Sequence, residues 1–122
     1  MRLRNLILVI LVLMVAQSHG ANACTKSGGR FWLGQDTSAS WIVKPGETCV
    51  HSITFNEGAS AITEIQIAQR PKVGVAGTNG ATNYAYKAPA SSGTDQFAVR
   101  IVGERHGRKG STLINIDVTI RP

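Results

Sequence analysis

Long apolar runs, helical periodicity, acidic clusters and histidines are all scarce in this 122-residue chain. The longest apolar run, Leu6 to Ala16, is eleven residues, far short of the ~20 that a membrane-crossing helix needs. No stretch beyond Ala23 repeats its apolar residues at the helical period of about 3.6, which argues against a helical core. Acidic residues number seven, and Asp36, Glu47, Glu57, Glu64, Asp95, Glu104 and Asp117 stand singly. Beyond residue 23 the only histidines are His51 and His106, and no G-x-S-x-G elbow is present. An esterase-type nucleophile therefore has no local signature here. The chain has no internal repeat, low-complexity tract or interdomain linker, which leaves a single domain.

What is present begins with the first residues. Arg2 and Arg4 precede the apolar run, and Ala21-Asn22-Ala23 follows it as an A-x-A site. That order of basic, apolar and small-residue segments predicts a secretory signal peptide over residues 1–23, cut before Cys24. A lipoprotein signal, of the form L-[AS]-[GA]-C, fits poorly because the leucine is missing and Asn22 is polar. Cys24 and Cys49 are the only cysteines, and in an exported chain such a pair favours a disulfide. The remaining domain, 24–122, carries eleven basic and seven acidic residues, a net charge of +4. This mild excess, on a chain bound for export, does not point to nucleic acid, and no transmembrane span is expected after processing.

Alternation dominates the rest. Ile114, Ile116, Val118 and Ile120 alternate with Asn115, Asp117 and Thr119, the period-two pattern of a strand with one buried face. Phe97, Val99 and Ile101 repeat it, as do Cys49, Ile53 and Phe55, and Ile65 with Ile67. Lys44-Pro45-Gly46-Glu47 places Pro and Gly as a type II turn requires. Asn56-Glu57-Gly58, Arg70-Pro71, Gly77-Thr78-Asn79-Gly80 and Ser91-Ser92-Gly93 supply further breaks. Strands are predicted near 30–33, 40–43, 48–55, 61–69, 72–76, 81–87, 95–102 and 112–120. Seven or eight short strands in such a length make an all-β, antiparallel β-sandwich. Residues 25–36 stay open between a first strand and a pinned N-terminal arm.

One stretch, "YKAPASSGTDQFAVRI" at 86–101, holds serines, a carboxylate and a glycine. A catalytic reading would set Ser91 or Ser92 beside a histidine and an acid. A structural reading makes it a corner in which Pro89 restrains the chain, Gly93 permits a bend and Phe97 opens a buried face. Asp95 then accepts hydrogen bonds from backbone N–H groups of the turn. The residues Tyr86, Pro89, Gly93, Thr94, Asp95 and Phe97 resemble the Y-x-P…G-x-D-x-F signature of bacterial immunoglobulin-like and cadherin-like domains. The resemblance covers about Trp41 to Ile120, including the "VKPGET" turn and the closing "INIDVTI" strand. It implies an immunoglobulin-like sandwich and a structural corner, and it says little of function. Some cadherin-like domains bind calcium, but Ca²⁺ takes roughly six to eight oxygen ligands. The scattered acids here do not supply them.

Four candidate features remain. His51 shares parity with Cys49 and Ile53, without the convergent partners a metal would require, and is read as a half-buried histidine. Trp32, Trp41, Tyr84 and Tyr86 are either core or a stacking platform for sugars, with Trp41 read as core. The segment Gly103-Glu104-Arg105-His106-Gly107-Arg108-Lys109-Gly110 concentrates three cations and a histidine at a hairpin tip. As a solvated loop it would only discourage aggregation. As a site, Arg105, His106, Arg108 and Lys109 would contact an anionic surface, such as envelope phosphate, lipid or acidic glycan. The expected function is a non-catalytic interaction or accessory module of the cell envelope, with no metal and no cofactor. Polyanion binding through 103–110 is the second reading. A small secreted hydrolase or hydrolase inhibitor using His51 or His106 ranks below both.

Overall fold

The computed structural model describes residues 24–53 and 61–122. The expected signal segment with its cleavage point, Phe55 and the break at Asn56-Glu57-Gly58 lie outside the described residues. Eight strands are formed among those residues: β1 (Cys24–Gly28), β2 (Thr37–Val43), β3 (Thr48–Ser52), β4 (Ala61–Gln69), β5 (Val75–Asn79), β6 (Asn83–Lys87), β7 (Gly93–Arg105) and β8 (Arg108–Ile120). They make a five-stranded sheet, β1-β2-β8-β7-β4, and a three-stranded sheet, β3-β6-β5. The chain passes repeatedly from one sheet to the other, and the two sheets make a β-sandwich.

The alternating residues of β7 and β8 build the inner face of the large sheet. Phe97 pairs with Ile116, Val99 with Ile114 and Ile101 with Thr112, and all six are buried. Trp41 of β2 lies against both sheets at once, stacked on Tyr84 at 5.8 Å and edge-on to Phe97 at 5.5 Å. Tyr86 stacks on Phe97 at 5.4 Å. These aromatic pairs lie in the offset and T-shaped geometries that ring quadrupoles favour. Burying each such side chain contributes on the order of 1.5–3 kcal/mol, which makes this layer the main source of cohesion.

Cys24 on β1 is bonded to Cys49 on β3, so the disulfide ties an edge of the large sheet to an edge of the small one. In the chain-entropy model, closing this 25-residue separation stabilises by roughly 3.5 kcal/mol. Lys26, on the inward parity of β1, reinforces the seam. Its ammonium lies over the Trp41 ring at 5.8 Å and donates to the Val50 carbonyl at 2.7 Å. An inward-pointing charge on an edge strand also discourages pairing with another chain.

Several expectations are corrected. The sheet is not wholly antiparallel, because β2 runs parallel to β8, with Trp41 opposite Val118. Residues 30–33 do not form a strand; the first strand is β1, and residues 29–36 are an arm pinned along β8. Gly34 N–H donates to the Ser111 carbonyl at 3.0 Å and Leu113 N–H to Asp36 Oδ1 at 3.1 Å. The strand expected at 72–76 begins only at Val75, because the N–H groups of residues 72–74 point at Asp95 instead. The strand expected at 81–87 starts at Asn83, after a turn. Most consequential, most of 103–110 is paired strand and not loop. β7 and β8 stay paired through Gly103↔Gly110, Glu104↔Lys109 and Arg105↔Arg108, which leaves only His106 and Gly107 to turn. Both have positive φ, 51° and 77°, as a two-residue hairpin turn demands. Gly103 is glycine because its neighbour is close: a methyl there would collide with the Ala61 carbonyl oxygen of β4.

Candidate functional site

Two polar regions invite a functional reading, and they lie at opposite ends of β7. The first is the corner between β6 and β7. Ala88 N–H donates to the Glu47 carbonyl, and Gly46 N–H to the Pro89 carbonyl, each at 2.9 Å. The corner is thereby fastened to the Pro45-Gly46 turn, where Gly46 has the expected positive φ of 76°. Asp95 accepts from the backbone N–H groups of Lys72 (2.8 Å), Val73 (3.2 Å), Gly74 (2.8 Å) and Gln96 (2.9 Å). It also accepts from the phenol of Tyr86 at 2.8 Å.

The expected role of Asp95 as an acceptor of backbone N–H groups holds, but the donors differ. Only Gln96 is its neighbour in the chain, on β7; three come from the segment before β5. Successive N–H groups converging in this way form a cradle for an anion, and here the chain's own carboxylate fills it. Burial raises the Asp95 pKa, yet the donors from Gly74, Lys72, Tyr86 and Gln96 outweigh it and hold the group below the usual aspartate value. Tyr86 is pushed up, first by burial and then by its bond to Asp95, so its proton stays in place as donor. Close packing completes the clamp, since a methyl on Gly74 would strike the Tyr86 ring and hydroxyl. Ser91 and Ser92 are exposed, and Asp95 is committed to this clamp. A shallow groove of about 500 Å³ lies alongside, lined by Gln69, Lys72, Thr94, Gln96 and Asp117 among others.

The second region is the far end of the same strand. In a β-ladder, directly opposed residues share a face, so Arg105 and Arg108 lie together on one side of the hairpin and Glu104 and Lys109 on the other. Arg105 continues the inward parity of Val99, Ile101 and Gly103, past the end of the apolar layer. His106, Arg108 and Lys109 are exposed and Arg105 is half-buried. The structure thus brings all four candidate residues to one hairpin end and divides them by face.

It also adds a residue to that end. Trp32 lies against Arg105, whose guanidinium sits 4.1 Å from the ring centroid, within the range for a cation–π contact. Phe31 is buried and Leu33 packs against the core, so the intervening Trp32 is turned outward and is 45 % exposed. Trp32 is held firmly. Gln35 N–H donates to its carbonyl at 3.0 Å. The hydroxyl of Thr112, itself wholly buried, reaches the Trp32 carbonyl at 3.1 Å and the Gln35 carbonyl. Trp32, Leu33, Gln35 and Arg105 line an open cavity of about 380 Å³.

Of the four Trp and Tyr residues weighed as a platform, Trp41, Tyr84 and Tyr86 are core and Trp32 alone is open to solvent. His51 is half-buried and packs its ring 5.3 Å from Tyr84. Among the described residues no group of three or more His, Cys, Asp or Glu side chains converges as a metal site. Also among them, no helix is long and apolar enough to cross a membrane. The meeting of Trp32 with Arg105 left no mark in the local sequence; the Phe31-Trp32-Leu33 alternation was the one available hint. No family model matches the chain, and no curated protein matches it.

Proposed function

We propose that this protein is an exported, non-catalytic interaction module of the cell envelope that uses the β7–β8 hairpin end to contact an anionic partner. The observation that carries this reading is the direct cross-strand pairing of Arg105 with Arg108. Like charges set directly opposite on a ladder destabilise it, and exposed cations gain only ~0–1 kcal/mol from intramolecular pairs. Fold stability gives little reason to place two guanidinium groups there. An anion seated between them would relieve their repulsion, and Arg geometry suits carboxylate, sulfate and phosphate alike. The sandwich behind them supplies rigidity, so little ordering cost accompanies binding.

The disulfide, the basic-apolar-small leader and the A-x-A site together support export. The corner chemistry and the strand order support kinship with bacterial immunoglobulin-like domains. Two measurements test the proposal. Intact mass of protein recovered from the producing cells should show residues 1–23 removed and two hydrogens missing; a diacylglyceryl mass on Cys24 would replace this processing route with lipidation. Binding to anionic glycans and to anionic vesicles should weaken steeply between low and physiological salt, where screening acts over roughly 8 Å. Absence of any salt-sensitive binding by the wild-type protein would leave the hairpin end a solvated turn.

A further inference from the structure

The arrangement around Trp32 specifies the anion more narrowly than charge alone does. We infer that Trp32, Gln35, Arg105 and Arg108 form a subsite for an acidic sugar residue, a hexuronate within an anionic polysaccharide. This inference rests on the anion-binding reading of the same hairpin end.

Three observations converge. First, Trp32 is 45 % exposed while the other three Trp and Tyr residues of the domain are core. It sits on a turn held by the buried Thr112 hydroxyl and by the Gly34–Ser111 backbone bond. An indole presented on a fixed backbone, rather than on a mobile loop, offers a flat apolar surface with little conformational freedom to lose. Second, the Arg105 guanidinium carbon sits over that indole, 4.1 Å from the ring centroid. The contact limits the freedom of the guanidinium, whose planar fork of N–H donors matches a carboxylate bidentately. Third, Arg108 is the direct ladder partner of Arg105, and Gln35 lines the same cavity. Its amide offers both a donor and an acceptor to sugar hydroxyls.

A pyranose ring has an apolar C–H face, which suits the indole surface that Arg105 leaves open; hydroxyls, which suit the Gln35 amide; and, in a uronate, one carboxylate beside them, which suits the arginine fork. A lipid phosphate satisfies the arginines but has no flat ring to set against Trp32. A neutral sugar satisfies Trp32 and Gln35 but leaves the opposed guanidinium groups unrelieved. The acidic sugar is the class that uses every group at the site.

The test titrates three probes against wild type, Trp32→Ala, Trp32→Phe and a triple variant with Arg105, Arg108 and Lys109 changed to Ser. The probes are oligogalacturonate, a neutral oligosaccharide of matched length, and phosphatidylglycerol vesicles. Wild type should bind oligogalacturonate, and the bound ligand should shield Trp32 from iodide quenching, because Trp41 is only 2 % exposed and contributes little to that signal. Trp32→Ala should lose roughly tenfold in oligogalacturonate affinity, Trp32→Phe should recover most of it, and vesicle binding should be unchanged in both. The triple variant should bind neither anionic probe. If Trp32→Ala binds oligogalacturonate as wild type does, or if it loses vesicle binding equally, the saccharide subsite is wrong and the cation-based reading survives. If wild type binds no anionic probe even at low salt, both readings fall together.

Discussion

Asp95 and Arg105 stand on the same face of β7, at its two ends, with Phe97, Val99, Ile101 and Gly103 between them. At the Asp95 end, a separate segment of backbone folds over the carboxylate and gives it three N–H donors, to which Gln96 N–H and the Tyr86 phenol add two more. At the Arg105 end, the neighbouring strand supplies a second arginine, and among the described residues Trp32 lies against the guanidinium. The same strand thus ends inward-looking at the corner and outward-looking at the hairpin. A charged residue is structural when the chain furnishes its counter-groups and is a candidate contact when the chain furnishes another like charge. A cradle of N–H groups is a ligand site in many proteins; here it is occupied from within and has nothing left to bind.

The sharpest way to break the comparison is to empty the corner. Asp95→Ala removes the acceptor for four backbone N–H groups and the Tyr86 phenol. With bonds to a charged group worth about 1.5–3 kcal/mol each and not additive, a loss of roughly 3–5 kcal/mol in denaturant unfolding is expected. A loss under about 1 kcal/mol would mean the corner is as dispensable as a surface loop. The apolar layer between the two ends sets the reference. Ile116→Ala, at a site with 0 % exposure, should cost ~2–5 kcal/mol. Asn115→Ala, on the opposite parity, should stay within about 0.5 kcal/mol. Equal denaturation midpoints for these two variants would contradict the register of β8.

A third prediction uses pH. The Asp95 pKa in the folded protein lies below its ordinary value of about 3.9. The unfolded chain therefore binds the proton more readily, and stability from this group is present above that ordinary value. It is lost as pH falls from there through the lower folded pKa. Thermal midpoints of wild type should drop across that acidic window, and Asp95→Asn, which has no carboxylate to titrate, should show a shallower drop. Parallel acid limbs for the two proteins would remove Asp95 from the account.

The smallest effect belongs to the other end. Replacing Arg105, Arg108 and Lys109 together by Ser removes the cation–π contact, worth about 0.5–1 kcal/mol at an exposed site, and also the Arg105–Arg108 repulsion. The two changes oppose each other, so the net change in unfolding free energy should be under ~1 kcal/mol while anion binding disappears. A large destabilisation would place the hairpin end with the corner, as a structural element.

Much of this architecture was legible in one dimension. Period-two alternation located β4, β7 and β8 because a strand with one buried face must alternate. Pro45-Gly46 announced its turn because fixed and positive φ values are requirements local to those residues. The Cys24–Cys49 bridge followed from cysteine count and the expectation of export. The cations of 103–110 were visible as a cluster, but their place on paired strands was not, nor was the close packing of Gly103 against β4.

Local sequence is enough for the alternating strands β4, β7 and β8, the turns with special backbone angles, and the placement of charge, because each depends on neighbours within a few positions along the chain. Tertiary structure alone decided that residues 72–74 would leave the expected strand to hold Asp95. It likewise decided that β2 would run parallel to β8 and that the 29–36 arm would carry Trp32 to Arg105. Each of these joins groups from distant parts of the chain. Their energies come from hydrogen bonds and ring contacts that exist only once the apolar layer has brought the two sheets together.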